Sequence, residues 1–418
     1  MNKFYNFSNK FFKLVKLAVL SFMFFMPLQK TIAVEFKYIY NTGDKYRILS
    51  NVDEDVYLNR KYVQKAEIVN RISVEVTGTQ GASGTHKMIS VTSEKTNPVA
   101  GNTGSYTWGE EYETIFSRDS RGVYTISDEY FMPVVRDIPV FPEGDIKPGF
   151  TWTYNGHEAH DFRRGFGIEK PYKIPFIAEY KYIGPEIVDG KELHKIQVEY
   201  NIEYTSPSTE IPDLMEISDF PLSTRGYSNQ TIYWDEANGM PVFYNENFRI
   251  QMELASGNTL EYIGSAEARV IESTLQRKAA EEDIKEKITK LGIKDASVKS
   301  DEKGVTITLE NIQFSPDSSV LLPSEKQKLE NLILILNDYK DNELLITGHT
   351  ALAGTKEERD KLSLERASAV AGYIIEKGNW EEKRIFSRGL GAQDPIGDNS
   401  NEEGRQLNRR VEITILEN

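Results

Sequence analysis

The run His157-Glu158-Ala159-His160-Asp161 gathers two imidazoles and two carboxylates within five positions, the residue types that hold a metal ion. A metal needs its ligands on one side of the backbone. On a helix, a spacing of three would put both histidines on one face, but the flanking residues read as strand or loop, where that spacing splits them. A fourth ligand and the His-Glu-x-x-His form are both missing. The expectation is therefore no metal and no other cofactor. No nucleophile elbow, Gly-rich phosphate loop or catalytic carboxylate pair in a supporting context occurs, so an enzyme is not expected. A second polar set lies towards the C terminus: Gly348-His349-Thr350, then Leu362-Ser363-Leu364-Glu365-Arg366-Ala367, then Gly404-Arg405-Gln406-Leu407-Asn408-Arg409-Arg410-Val411.

Two or more cores can form in 418 residues, and 39% hydrophobic with 27% charged residues is an ordinary globular balance. The net charge is -14. Residues 1–33 hold five of the 50 basic residues and no acid, which leaves 45 basic against 64 acidic residues, or -19, for the remainder. So acidic a surface repels phosphate backbones, and no nucleic acid partner is expected. The N terminus reads as a secretory signal peptide over 1–33: Lys10, Lys13 and Lys16 precede the apolar run Leu17–Met26, and Thr31-Ile32-Ala33 offers a cleavage site. There is no cysteine, so no disulfide supports the fold in an oxidising compartment.

The elements that must position the polar residues change character along the chain. Over residues 34–269 the signal is a period of two, in Ile72–Val76, His194–Ile202 and Arg249–Leu254. Asp189-Gly190, Asn238-Gly239 and Ser256-Gly257-Asn258 mark turns between such runs. The runs are short, with prolines and charges inside them, so a soluble sandwich or open barrel is expected rather than a membrane-spanning one. The proline-rich stretch Asp137–Asp145 reads as a loop or sheet edge. Residues 270–303 read as a helical linker. Ser273-Thr274-Leu275-Gln276 forms a capping box, Ala280, Ile284, Ile288 and Leu291 mark one face, and Gly292 closes it. From 304 to 418 the pattern is βαβαβ. Strands are expected at Val305–Leu309, Leu344–Thr347, Ile385–Ser387 and Val411–Ile415. One helix after Pro323 buries Leu329, Leu332, Ile333 and Leu336; a second, capped by Thr355 and Glu358, runs to Lys377. The fold class is α+β, with an antiparallel β domain followed by a βαβαβ domain on a mixed sheet.

The three C-terminal blocks, with Ile312-Gln313-Phe314-Ser315-Pro316-Asp317 ahead of them, resemble the OmpA-like C-terminal domain over roughly 304–418. That family is a periplasmic module that grips the peptide stem of peptidoglycan. The resemblance implies a periplasmic protein associated with the outer membrane and cell wall, with peptidoglycan and envelope proteins as partners. It places the carboxylate-binding arginine at Arg366, whose planar fork suits a carboxylate, and further contacts at Thr350, Asp317, Asn408 and Arg409. Two positions depart from the family. Where the family has an aspartate for the ligand's ammonium group this chain has Ala351, and where it has an asparagine this chain has Arg359.

Overall fold

The computed structural model describes residues 33–95, 105–272, 277–301, 303–310, 312, 314 and 318–417. The expected signal peptide (but for its last residue), the capping box at 273–276 and Asp317 lie outside them.

Among the described residues, thirteen strands form the N-terminal domain: β1 (Lys45–Leu58), β2 (Lys61–Gln80), β3 (Ser83–Lys95), β4 (Tyr106–Thr107), β5 (Glu111–Arg118), β6 (Tyr124–Ile126), β7 (Val135–Arg136), β8 (Thr151–His160), β9 (Tyr172–Val188), β10 (Lys191–Thr205), β11 (Pro221–Asp235), β12 (Met240–Leu254) and β13 (Thr259–Glu272). A single helical turn, α1 (Arg163–Phe166), follows β8. Strands β7 to β13 pair antiparallel in chain order. Strand β13 then pairs with β1, and the meander continues through β2, β3, β5 and β6. The two ends of this curled sheet meet, where Tyr124 N donates to Asp137 Oδ1 (2.8 Å) and Tyr112 Oη to Asp161 Oδ2 (2.8 Å). Its inner face holds an aromatic core in which Tyr38, Phe141 and Trp234 pack edge to face.

Antiparallel pairing follows the expectation, but the expected short runs are corrected: β2 spans 20 residues and β9 spans 17. The alternation breaks inside strands because the fold uses exceptions there. Strand β9 carries Pro175 and Pro185, and Gly264 in β13 admits the Phe248 ring, which a Cβ would meet at 2.6 Å. The turn Asp189-Gly190 has both residues at positive φ, 51° and 80°, as a two-residue hairpin turn requires. Outward positions of β9 and β10 are exposed and mixed in character, with Glu179, Lys181, Gln197 and Glu199 beside Ile177 and Ile183.

The C-terminal domain adds α2 (Arg277–Lys290), β14 (Ala296–Asp301), β15 (Gly304–Leu309), α3 (Pro323–Leu336), β16 (Leu344–Gly348), α4 (Lys356–Gly378), β17 (Ile385–Gly389), α5 (Glu402–Asn408) and β18 (Val411–Leu416). Its sheet runs β14-β15-β18-β16-β17, with only β16 and β17 parallel. Ala280, Ile284 and Ile288 of α2 share one core with Leu329, Leu332 and Ile333 of α3 and Val370 and Ile374 of α4. Helix α4 ends where Asn379 turns left-handed (φ 51°), and Trp380 packs on Gly378, where a Cβ would stand 2.7 Å from the indole.

The opposite face of that sheet packs on the outer wall of the β domain. Leu345, Phe386 and Leu416 meet Leu49, Val69, Val91, Tyr106 and Trp108, and β4 pairs parallel with edge strand β17. Beside this seam the fully buried Glu343 carboxylate pairs with Arg47, with Arg71 and Arg384 each 3.8 Å away. The two domains therefore share an apolar and ionic interface. Among the described residues, no helix is long and apolar enough to cross a membrane.

Candidate functional site

The site is assembled at the C-terminal ends of the parallel strands. Strand β16 delivers Gly348-His349-Thr350-Ala351, and β17 delivers Gly389-Leu390-Gly391. Two backbone bonds tie these loops: Leu390 N to Gly348 O (3.0 Å) and Thr350 N to Gly391 O (2.8 Å). Helix α4 lies directly against both. A Cβ on Gly348 would sit 2.1 Å from Ser363 O, and one on Gly391, at φ +52°, would sit 2.4 Å from Asp360 Oδ1. The Ser363 hydroxyl fixes the approach, donating to Asp360 O (2.9 Å) while accepting from Gly391 N (2.9 Å). The serine of the Leu-Ser block is thus a strut. Nothing in the spacing of the Leu-Ser block signals this role, because it depends on the Gly391 N–H of a distant loop.

Arg366 projects from the same helix towards the first loop. Its Nε donates to Ser318 O at 3.3 Å, and its guanidinium lies 4.9 Å from the centre of the Phe314 ring. Thr350 is buried, and its Oγ1 has no hydrogen-bond partner. Ala351 is also buried, so a methyl group fills the position where the resemblance places an acid. Arg359 curls back over the helix start, its Nη1 donating to Gly354 O at 2.5 Å while its buried Nε is unpaired.

Asn408 is 1% exposed and all its polar capacity is spent on the chain. Its Oδ1 accepts from Ile396 N and Gly397 N (both 2.8 Å), and its Nδ2 donates to Gly397 O (2.9 Å) and Asn399 Oδ1 (3.0 Å). Asn399 Oδ1 also accepts from Leu352 N (3.0 Å), so Asn408 braces the loop that walls the site. Arg409 pairs with Glu402 at 2.5 Å. Thr350 and Arg359 meet where α4 crosses the tied loops, with Arg359 Cβ 3.3 Å from the Cβ position at Gly391, to which Thr350 is bonded; Arg366 lies two turns further along α4 against Ser318 and Phe314, and Asn408 and Arg409 brace the adjoining loop and helix.

Nearby acids are engaged locally. Glu358 closes the α4 capping box with Thr355, and Asp360 pairs with Lys356 (2.5 Å) and accepts from Gln393 (3.4 Å). Below that crossing, His349, Asp394 and Glu412 place ligand-type atoms within 4.8 Å of one another. The cation at that point is the chain's own: buried Arg410 donates to Glu412 Oε1 (2.8 Å) and Asp394 Oδ2 (3.2 Å). Burial alone would raise the Glu412 carboxyl, but the hydrogen bond from Arg410, with the His349 ring 3.7 Å away, overrides it and holds the group at about 2. The other histidine cluster lies on β8 as strand spacing requires, with His160 Nε2 2.7 Å from Glu158 Oε2 and His157 3.9 Å from Asp137.

A mixed sheet backed by helices, with two loops tied at the ends of its parallel pair, defines an OmpA-like domain. Residues 313–409 match the model of the OmpA family, so the chain carries an OmpA-family domain at its C terminus; the match does not extend to the β domain. Outer membrane protein A of Bordetella avium is 36% identical over 103 residues, 25% of this chain and 53% of that protein. The peptidoglycan-binding protein ArfA of Mycobacterium bovis is 35% identical over 104 residues, 25% of this chain and 32% of its own length. A solved outer membrane protein of Borrelia burgdorferi B31 is 33% identical, covering 29% of this chain and 96% of that one, with a TM-score of 0.25. The chain thus spans about half or less of the curated relatives it matches.

Proposed function

We propose that this is a cell-envelope protein whose OmpA-family domain associates non-covalently with peptidoglycan, with its β domain turned towards the outer membrane or an envelope partner. The supporting observation is the match of residues 313–409 to the OmpA family, together with the Arg366 guanidinium that α4 holds against Ser318 and Phe314. A guanidinium fork there suits the carboxylate of the stem's diamino acid. The role is binding rather than catalysis. Export by the segment at 1–33 would deliver the chain to the periplasm. Calorimetric titration of the protein with a soluble stem peptide containing a diamino acid tests this. Saturable binding that Arg366→Ala weakens supports the reading, and no heat from the parent at millimolar peptide refutes it.

A second reading has its own observation. Ala351 is buried, and Glu358 and Asp360 are already committed to the helix start, so neither replaces the family's acid for the ammonium group. In that case the domain keeps the fold as a protein-interaction scaffold. Binding regained in Ala351→Asp but absent in the parent would establish it.

A further inference from the structure

The hairpin that joins β1 to β2 ends in eight consecutive exposed residues, Leu58–Lys65. Three of them are large and apolar: Leu58 is 40% exposed, Tyr62 56% and Val63 54%. The Tyr62 ring meets that of Tyr57 edge to face, with centroids 5.7 Å apart, so the two form one aromatic knob. A single exposed apolar residue needs no account, but a cluster at a projecting tip marks a contact surface. The C-terminal domain does not cover it. Its seam with the β domain lies at Leu49 and Val69, eight or nine residues back along the two strands, roughly 25–30 Å away. Strand β13 flanks the hairpin on one side; on the other, among the described residues, β2 pairs with β3 only from Ile68 on. The tip therefore overhangs the wall.

This overhang is held in shape. Asn59 and Arg60 both take positive φ, 51° and 64°, as a tight two-residue turn requires. Asn59 fastens the turn to the start of β13 and the loop before it. Its N donates to Thr259 O (2.8 Å), its Nδ2 donates to Asn258 Oδ1 (2.8 Å), and its Oδ1 accepts from Thr259 N (2.9 Å). A tip fixed in this way has little backbone left to order when it docks.

Charge selects the partner. Residues 56–66 hold Arg60, Lys61 and Lys65 and no acid, whereas the chain beyond residue 33 holds 45 basic against 64 acidic residues. Lys65 pairs with Asp53 at 3.5 Å, but Arg60 and Lys61 have no ion-pair partner among the described residues. Glu261, opposite Tyr57 on β13, is buried and paired with Arg249 (2.6 Å). Asp55 stands three residues behind Leu58, about 10 Å away. The exposed acids Glu210, Asp213 and Glu216 belong to the loop before β11, three strands round the wall, or about 14 Å. Both distances exceed the Debye length of about 8 Å at physiological salt, so the tip acts as a local cation on an acidic protein.

Tyrosine rings seat at the headgroup level of a bilayer, aliphatic side chains enter the acyl boundary, and free cations meet anionic headgroups. A turn tip is also convex and small against the roughly 800 Å² per partner of a stable protein interface, whereas a fluid bilayer closes round it. We propose that the β1–β2 tip is where the β domain touches an anionic lipid surface, with Leu58, Tyr62 and Val63 entering the interface and Arg60 and Lys61 meeting headgroup phosphates. This rests on the reading that turns the β domain towards the outer membrane.

The test is sedimentation of the processed protein, residues 34–418, with phosphatidylcholine vesicles made with and without phosphatidylglycerol, at about 150 mM NaCl. The parent should sediment with the phosphatidylglycerol vesicles and far less with phosphatidylcholine alone. Arg60→Gln with Lys61→Gln should weaken binding about thirtyfold, and Val63→Asp at least about tenfold. Lys181→Gln, which removes an exposed cation from the outer wall, should bind as the parent does. All these side chains are exposed, so each variant should keep the thermal midpoint of the parent. A parent that stays in the supernatant with phosphatidylglycerol vesicles overturns the proposal. Tip variants that bind as the parent does overturn it too, while leaving the β domain at the membrane. Stem-peptide titration alongside keeps the wall reading separate: peptide bound without vesicles sinks the lipid contact alone.

Discussion

Replacing Glu343 by alanine should loosen the seam between the two domains. Its side chain is fully buried, as is that of Arg47, while those of Arg71 and Arg384 are 11% and 26% exposed. Three guanidinium groups converge on one carboxylate, two of them at 3.8 Å. Deleting the carboxylate leaves Arg47 charged, desolvated and beside two like charges. Breaking a buried pair in this way costs about 3–5 kcal/mol, far more than the 0–1 kcal/mol of an exposed pair. Denaturant unfolding followed by tryptophan fluorescence should report a loss of that size, because Trp108 sits in the apolar seam. The paired replacement Glu343→Leu with Arg47→Met should recover most of it, since no lone charge then remains at the centre. A loss below about 1 kcal/mol in Glu343→Ala would refute the reasoning, because the carboxylate would then not be compensating buried charge.

Three further outcomes follow from the C-terminal domain. The folded Glu412 carboxyl, at about 2, lies below its unfolded value of about 4.3, so its stabilisation is complete above that value and is lost as pH falls towards 2. Glu412→Gln should therefore flatten the acid limb of the stability–pH curve, removing about 3 kcal/mol at neutral pH, as equilibrium unfolding at stepped pH would show. Gly348→Ala forces a Cβ to within 2.1 Å of Ser363 O, and thermal denaturation should show a loss of about 3 kcal/mol or failure to fold. Ser363→Ala, which leaves Gly391 N–H unpaired, should lose about 1–3 kcal/mol and speed amide exchange at Gly391.

The C-terminal domain was largely legible because its signals are local. The Thr355–Glu358 capping box forms as read, and Leu329, Leu332, Ile333 and Leu336 face the core as their spacing requires. Strand β14 was not foreseen: Ala296–Asp301 alternates half-buried and exposed residues without strong apolar character, and its identity depends on pairing with β15. The roles of Asn408 and Arg409 were not legible, because a side chain's direction depends on loops that close around it from other parts of the chain. The same limit applied to Glu343. Its position before Leu344-Leu345-Ile346 marks the edge of a buried strand, but its partners Arg47 and Arg71 lie hundreds of residues away. In the β domain, turns such as Asp189-Gly190 were visible, while strand length and closure depend on long-range registers that prolines and inward-facing acids disguise.

The central claim, that the OmpA-family domain grips the cell wall through Arg366, is tested most directly by co-sedimentation of the purified protein with isolated sacculi. The account predicts that the parent sediments with the sacculi and that Arg366→Ala stays in the supernatant, a loss of at least about tenfold in affinity. A parent that stays in the supernatant, or an Arg366→Ala variant that sediments as well as the parent, would contradict it.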